Sequence, residues 1–151
     1  MPYYGLLIVL LVIGDQSLKF WITNNIQLGA VDSFIPGLLS FTNLRNIGAA
    51  WSILEGQQWF FIVISIVALI LICYFLWRYR ANWHFGWPLS LILAGTIGNF
   101  VDRLRLGYVV DMFQLDFINF PIFNIADMCL TVGVILMIIA ILFEDEGTKN
   151  D

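Results

Sequence analysis

Residues 59–77 read WFFIVISIVALILICYFLW, without one charged side chain. A helix needs about 20 mostly apolar residues to cross the hydrocarbon core of a bilayer. It satisfies its own backbone hydrogen bonds there, where no water can. Three more stretches of similar character lie around this one, at residues 3–21, 83–101 and 125–143. The 151-residue chain is 60% hydrophobic and 12% charged, with a mean hydropathy of +0.87. Soluble domains run about 45–50% apolar and about 25% charged. So little charge does not keep a surface of this size wet. The expected fold class is therefore an all-α membrane protein, with four transmembrane helices in one integral-membrane domain over residues 1–151. A disordered chain, a nucleic-acid-binding domain and an ordinary cytosolic enzyme do not fit these numbers. Tryptophan and tyrosine gather at the proposed span ends, among them Tyr3, Trp21, Trp59, Trp77 and Trp83, as interfacial aromatic belts do.

The chain ends add little. The net charge of −4 owes much to Glu144, Asp145, Glu146 and Asp151, which read as a solvated terminus. No basic run suggests nucleic acid or a polybasic lipid patch. No Lys or Arg precedes the apolar residues 3–13, and no small-x-small cleavage site follows them. They are expected to be a retained first span rather than a cleaved signal. Cys73 falls late in one span and Cys129 early in another. The two thiols are expected near opposite membrane faces, out of reach of a disulfide.

The connections are unequal. Residues 78–82 form a short link with Arg78 and Arg80, whereas residues 22–58 and 102–124 are long. Within the long ones, residues 38–44, 108–113 and 117–123 are rich in β-branched or aromatic side chains. They suit brief strands or amphipathic surface segments. Four spans put both termini and the short link on one side. That side holds Arg78, Arg80 and Lys149, against Arg45, Arg103, Arg105 and Lys19 on the other, so positive charge alone does not orient the chain. The short link is placed in the cytoplasm because its arginines sit in a plain loop. Lys19, Arg45 and Arg103 sit beside acids or amides.

Five polar clusters then fall at the opposite, outer face. Asp15-Gln16-Ser17-Leu18-Lys19 places an acid and a cation four residues apart, on one helix face. Asn43-Leu44-Arg45-Asn46 precedes the small run Gly48-Ala49-Ala50. In Gly98-Asn99-Phe100-Val101-Asp102-Arg103 the spacing turns Asn99, Asp102 and Arg103 one way. Val109-Val110-Asp111-Met112-Phe113 buries an acid within an apolar run, and on a strand Asp111 would point with Val109 and Phe113. Asn124-Ile125-Ala126-Asp127 opens the last span like a capping box. Each cluster has an ordinary explanation: a snorkelling ion pair, a turn, a helix contact, a surface acid, a cap. Their gathering at one end of a charge-poor chain does not. Charge at a helix centre in the bilayer costs about 2.5–3.5 kcal/mol, less toward the edge, and marks functional sites.

The available chemistry is narrow. His84, the sole histidine, lies at the far end from the clusters, so a Ser–His or Cys–His site is implausible. There is no His-Glu-x-x-His pair for zinc. Two carboxylates remain. Held close in a site of low dielectric they share one proton. The ionised member takes a proton from water while the protonated one polarises a carbonyl, which hydrolyses an amide without metal or cofactor. A small four-helix transporter, with intramembrane acids binding protons or cations, is the alternative. It suits acids near mid-span and short loops less well matched here. A scaffold subunit explains the spans but not the clustered acids.

At these clusters the sequence resembles the bacterial lipoprotein signal peptidases, or signal peptidase II. The matching pieces are Asp15-Gln16-x-x-Lys19, Asn46-x-Gly48-Ala49-Ala50-Trp51-Ser52, Gly98-Asn99-x-x-Asp102-Arg103, Val109-Val110-Asp111 and Phe123-Asn124-x-Ala126-Asp127. They occur in the family's order, with Trp51 where Phe is commoner. The resemblance implies an intramembrane aspartyl endopeptidase that cuts prolipoproteins just before a diacylglyceryl-modified cysteine. It implies Asp111 and Asp127 as the catalytic pair, with Asp15, Lys19, Asn46, Asn99, Arg103 and Asn124 binding substrate or supporting the site. It also implies a bacterial cytoplasmic (inner) membrane location with both termini cytoplasmic. A small extracytoplasmic β-cradle and a short amphipathic helix would lie beside the site. A monomer in contact with membrane lipids and prolipoprotein substrates, with no cofactor and no nucleic acid, is expected.

Overall fold

In a computed structural model, residues 2–48 and 54–148 are described. Four helices occur among them, α1 (Pro2–Asn25), α2 (Gln58–Arg78), α3 (Trp83–Leu106) and α4 (Ile125–Thr148). Three strands, β1 (Val31–Ile35), β2 (Leu39–Asn46) and β3 (Val109–Leu115), form an antiparallel sheet in the order β1-β2-β3. The expected short amphipathic helix has no counterpart among the described residues, and Ala49, Ala50, Trp51 and Ser52 of the second motif lie outside them.

Three helices are long and apolar enough to cross a membrane: Tyr3–Asn25, Gln58–Arg78 and Ile125–Glu144. α2 has no fully buried side chain; one face packs on α3 and the rest of its apolar surface lies outward, as lipid contact requires. α3 differs because it is the central helix, packed on α1, α2 and α4. It buries Phe85, Leu89, Leu93, Ala94 and Gly95 as well as Asn99 and Asp102. A helix sheltered by three neighbours does not need an apolar surface all round. With 24 residues it is nevertheless about 36 Å long.

Close packing of α3 on α4 depends on small residues, as lipid-embedded helices commonly do. A methyl group at Gly95 would collide with the Ala126 carbonyl oxygen and lie 2.8 Å from Leu130 Cγ. Backbone cannot move aside cheaply. Gly95→Ala is expected to destabilise the protein by about 1–3 kcal/mol, read as a lower midpoint of thermal unfolding in detergent.

The sheet sits at one end of the bundle, joined to the C-terminal ends of α1 and α3 and the N-terminal ends of α2 and α4. α1 runs beyond Trp21 because Ile22 and Ile26 still have a core to enter. They pack on Val110 and Met112 of β3. Asn43 Nδ2 donates to the Ile26 carbonyl at 2.8 Å and anchors β2 to the same turn. α3 ends at Gly107, whose φ of 77° is the left-handed value that suits glycine and turns the chain into β3. Residues 117–123 are not a strand. They form a loop held to the sheet by a single bridge between Phe123 and Phe113.

Strand alternation then selects the site. Val110 and Met112 point to α1, so Val109 and Asp111 take the opposite face and line the cavity, while Phe113 still packs against the α1 cluster. At the far end of the bundle, Phe85 and Leu89 of α3 pack with Ala140 and Met137 of α4 and with Ile72 and Leu76 of α2. Cys73 and Cys129 are both free thiols.

Candidate active site

Asp111 and Asp127 line one cavity of about 780 Å³. Its polar wall also holds Asn46, Asn99 and Arg103, and its apolar walls come from Ile64 and Ala68 of α2, Met128 and Val132 of α4, and Phe120–Phe123 of the loop. The two acids arrive from different elements. Asp111 is on β3, on the strand face turned from α1, and Asp127 is in the first turn of α4.

Three asparagine amides are turned so that their NH2 groups meet these carboxylates. The Asn46 oxygen accepts from the Gly48 N–H at 2.9 Å, which leaves its Nδ2 to donate to Asp111 Oδ2 at 2.9 Å. The Asn124 oxygen accepts from the Asp127 N–H at 2.8 Å, and its Nδ2 donates to Asp111 Oδ1 at 2.7 Å. The Asn99 oxygen accepts from Lys19 Nζ at 3.3 Å and from Asn124 Nδ2 at 3.2 Å, and its Nδ2 donates to Asp127 Oδ1 at 2.7 Å. Each amide is oriented by what its oxygen must accept, so each presents a fixed donor. Asn124 also gives its backbone N–H to Asp127 Oδ2 at 3.2 Å. The capping box expected at the start of α4 is therefore present, and the same asparagine bridges both acids.

Asp15 and Lys19 lie behind this pair, nearly inaccessible at 1% and 3% exposed. Lys19 Nζ pairs with Asp15 Oδ2 and with Asp102 Oδ2, each at 2.9 Å. The other Asp15 oxygen accepts the Ala126 N–H at 3.0 Å. A carboxylate thus meets the positive N-terminus of α4. Asp102 Oδ2 accepts the Val110 N–H at 3.1 Å. Gln16, to which no local spacing assigns a role of its own, donates to Asp102 Oδ1 at 2.9 Å and to the Gly98 carbonyl at 3.2 Å. Asp102 likewise had no role of its own beyond its place in a motif. Its signal was the turn it shares with Asn99 and Arg103. This network ties α1, α3, α4 and β3 together behind the cavity. Arg103 lies at the cavity edge. Its Nη2 donates to the Gly48 carbonyl at 3.3 Å and its guanidinium lies 4.8 Å from the centre of the Phe61 ring of α2. Its Nε has no hydrogen-bond partner among the described residues.

Burial pushes the Asp111 carboxyl up to about 7, and the neighbouring charge of Asp127 pushes the same way. The amides of Asn46 and Asn124 and the charge of Lys19 oppose the shift. A carboxyl that keeps its proton near neutrality, beside a second carboxyl, is the arrangement of an acid–base pair.

An apolar helical bundle with such a pocket at one end is the architecture of a membrane enzyme. The chain is similar over its full length to a solved bacterial membrane enzyme, with a TM-score of 0.95, 41% identity and 94% of that chain covered. A second solved bacterial membrane enzyme matches at a TM-score of 0.87 and 43% identity, with 94% of each chain covered. The model of the family described as signal peptidase (SPase) II matches residues 7–143. A lipoprotein signal peptidase of Lactiplantibacillus plantarum is 61% identical over 97% of this chain and 98% of the relative. That of Lactococcus lactis subsp. lactis is 52% identical over 93% of each. The chain belongs to the signal peptidase II family and is a protease of that type. The transporter alternative is set aside by this membership.

Proposed function

We propose that the chain is an intramembrane aspartyl endopeptidase in which Asp111 and Asp127 share one proton and hydrolyse a peptide bond. The observation that carries this reading is the convergence of both carboxylates on one cavity, linked through Asn124 and each held by amide donors. The substrate is a prolipoprotein, and the bond is the one just before its diacylglyceryl-modified cysteine. Four helices span the bilayer, α3 included as the sheltered central one. Both termini are cytoplasmic and the sheet and site are extracytoplasmic, in a bacterial inner membrane. The protein works as a monomer, in one domain.

In the reaction the ionised carboxylate takes a proton from a water molecule as its oxygen attacks the scissile carbonyl. The protonated carboxyl gives its proton to the carbonyl oxygen. Collapse of the tetrahedral species breaks the C–N bond; the proton taken from water passes to the departing amine, and the one lent to the carbonyl oxygen returns to the pair. The products are a signal peptide with a new carboxylate and a lipoprotein with a free cysteine amine. The fixed asparagine amides, two on Asp111 and one on Asp127, stabilise whichever member is ionised and need little reorganisation. The cavity between α2 and α4 has apolar walls that accept acyl chains while the peptide bond meets the acids at its polar end. Arg103, with its unpaired Nε, supplies a donor for a substrate carbonyl. Asp15, Lys19, Asn46, Asn99 and Asn124 hold the pair in place.

The pH profile tests the shared proton. Activity requires one proton on the pair and is lost when the second carboxyl ionises, so kcat/KM falls as pH rises. With Asp111 pushed to about 7 by burial and by Asp127, this alkaline limb has its midpoint at or above neutrality, not in the ordinary carboxylate range. A rate that stays flat to pH 10 on a purified, lipidated precursor contradicts the pairing.

A further inference from the structure

The sheet carries an apolar tip that the catalytic reading does not use. The β1–β2 turn contributes Phe34, Ile35 and Leu38, and the loop after β3 contributes Phe117, Ile118 and Phe120. All six are between 42% and 61% exposed. The two segments are stitched together. The Asp116 N–H donates to the Leu38 carbonyl at 3.1 Å, and Ser40 Oγ donates to Asp116 Oδ2 at 2.8 Å. Neither residues 33–38 nor residues 117–123 contain a charged side chain. A contiguous patch of this kind does not belong in water.

The tip is continuous with the lipid-facing surface of the bundle. Trp21, half-exposed near the C-terminal end of α1, has its ring 6.2 Å from Phe41, and Phe41 lies 5.0 Å from Phe34. On the other side Phe120 both belongs to the tip and lines the cavity. The apolar surface thus runs from the aromatic belt of α1, across the tip, to the mouth of the site. A docking surface for a protein would carry the tyrosine, tryptophan or arginine anchors and polar rim usual at such contacts. Here there is phenylalanine, isoleucine and leucine, the composition that enters acyl chains.

We propose that the β1–β2 turn and the residue 117–120 loop form a two-pronged wedge that dips into the leaflet nearest the sheet. The wedge fixes the depth of the Asp111–Asp127 cavity relative to the lipid headgroups. A peptide bond next to a lipid-anchored residue then meets the site without its acyl chains leaving the bilayer. The inference rests on the chain spanning a membrane, and its first test does not depend on the roles of the two aspartates.

That test uses the full-length protein with Cys73→Ser and Cys129→Ala, in vesicles of phosphatidylglycerol and phosphatidylcholine. Nitroxide labels are placed singly by Phe34→Cys and Ile118→Cys. Ile70→Cys in α2 serves as the lipid reference and Glu55→Cys as the aqueous one. Both tip labels are expected to collide with oxygen in preference to a water-soluble nickel chelate, on the Ile70 side of the scale. Labels as open to nickel as the one at Glu55 overturn the proposal. Labels shielded from both reagents overturn it as well, because they indicate a covering protein surface such as a second copy of the chain. A second variant, Phe34→Glu with Ile118→Glu, replaces no residue that lines the cavity. It is expected to slow cleavage of a lipidated precursor about tenfold in vesicles, where two carboxylates must enter the interface, and to leave cleavage in detergent micelles nearly unchanged. Equal losses in both media count against the wedge. If the variant does not accumulate, the label depths decide.

Discussion

Asp111→Asn is expected to lower cleavage of a diacylglyceryl-modified precursor by at least about 10³-fold, and Asp127→Asn to do the same. Asparagine keeps the shape of the side chain but neither takes a proton from water nor shares one with its partner. The double variant is expected to lose little more than either single one, as groups proposed to work as a unit do. The folded state tolerates the change. Asp111 is buried with a neighbouring acid that disfavours its charge, so removing that charge relieves repulsion. One acceptor oxygen is lost at each site, where an asparagine NH2 would face a donor; both variants are expected in the membrane fraction, with thermal unfolding midpoints close to wild type. Residual activity within tenfold of wild type in either variant contradicts the assignment.

Lys19→Met fails in a different way. Lys19 is buried between Asp15 and Asp102, 2.9 Å from each. Its removal leaves two buried carboxylates facing one another with no cation between them. Breaking a buried pair from one side costs about 3–5 kcal/mol, because the stranded charge has no solvent to turn to. Two stranded charges place this variant at the upper end. Asp15 also caps the first turn of α4 and Asp102 holds the β3 backbone, so both dyad-bearing elements loosen together. The expected result is low accumulation and a sharply lowered unfolding midpoint, with activity falling in proportion to folded protein. A stable Lys19→Met protein that binds precursor but does not turn it over would instead make Lys19 part of the chemistry. The contrast between the two sets of variants separates the pair in the cavity from the network behind it.

Several of these features were legible before the fold was known, for physical reasons. α2 was readable because a charge-free run at residues 59–77 has one stable home. Asp111 stood out because a carboxylate inside an apolar run is costly wherever it is buried. α3 was harder to read. Its charges in the last turns and its packed polar residues take it below the hydropathy of a lipid-facing helix, and its central position explains why that is tolerated. β1 was not readable from residues 31–35, because a five-residue edge strand exposed on both faces carries no alternating pattern. Residues 117–123 had the composition of a strand, yet proline and a single bridge leave them a loop. The network role of Gln16 was hidden for another reason. Its partners Gly98 and Asp102 lie more than eighty positions away, and no local spacing announces them. Asn124 shows the opposite. Its cap signature was visible, and the cap proved to be also the bridge between the two acids.

Asp111 and Asp127 are proposed to cut, together, the bond preceding a lipidated cysteine. The most direct measurement is mass spectrometry of the products formed from a diacylglyceryl-modified precursor by purified protein, wild type beside Asp127→Asn. Two products are expected from the wild type: the intact signal peptide and a lipoprotein beginning at the lipidated cysteine. Neither is expected from the variant. Cleavage at another bond, or the same two products from Asp127→Asn at a comparable rate, would contradict the proposal.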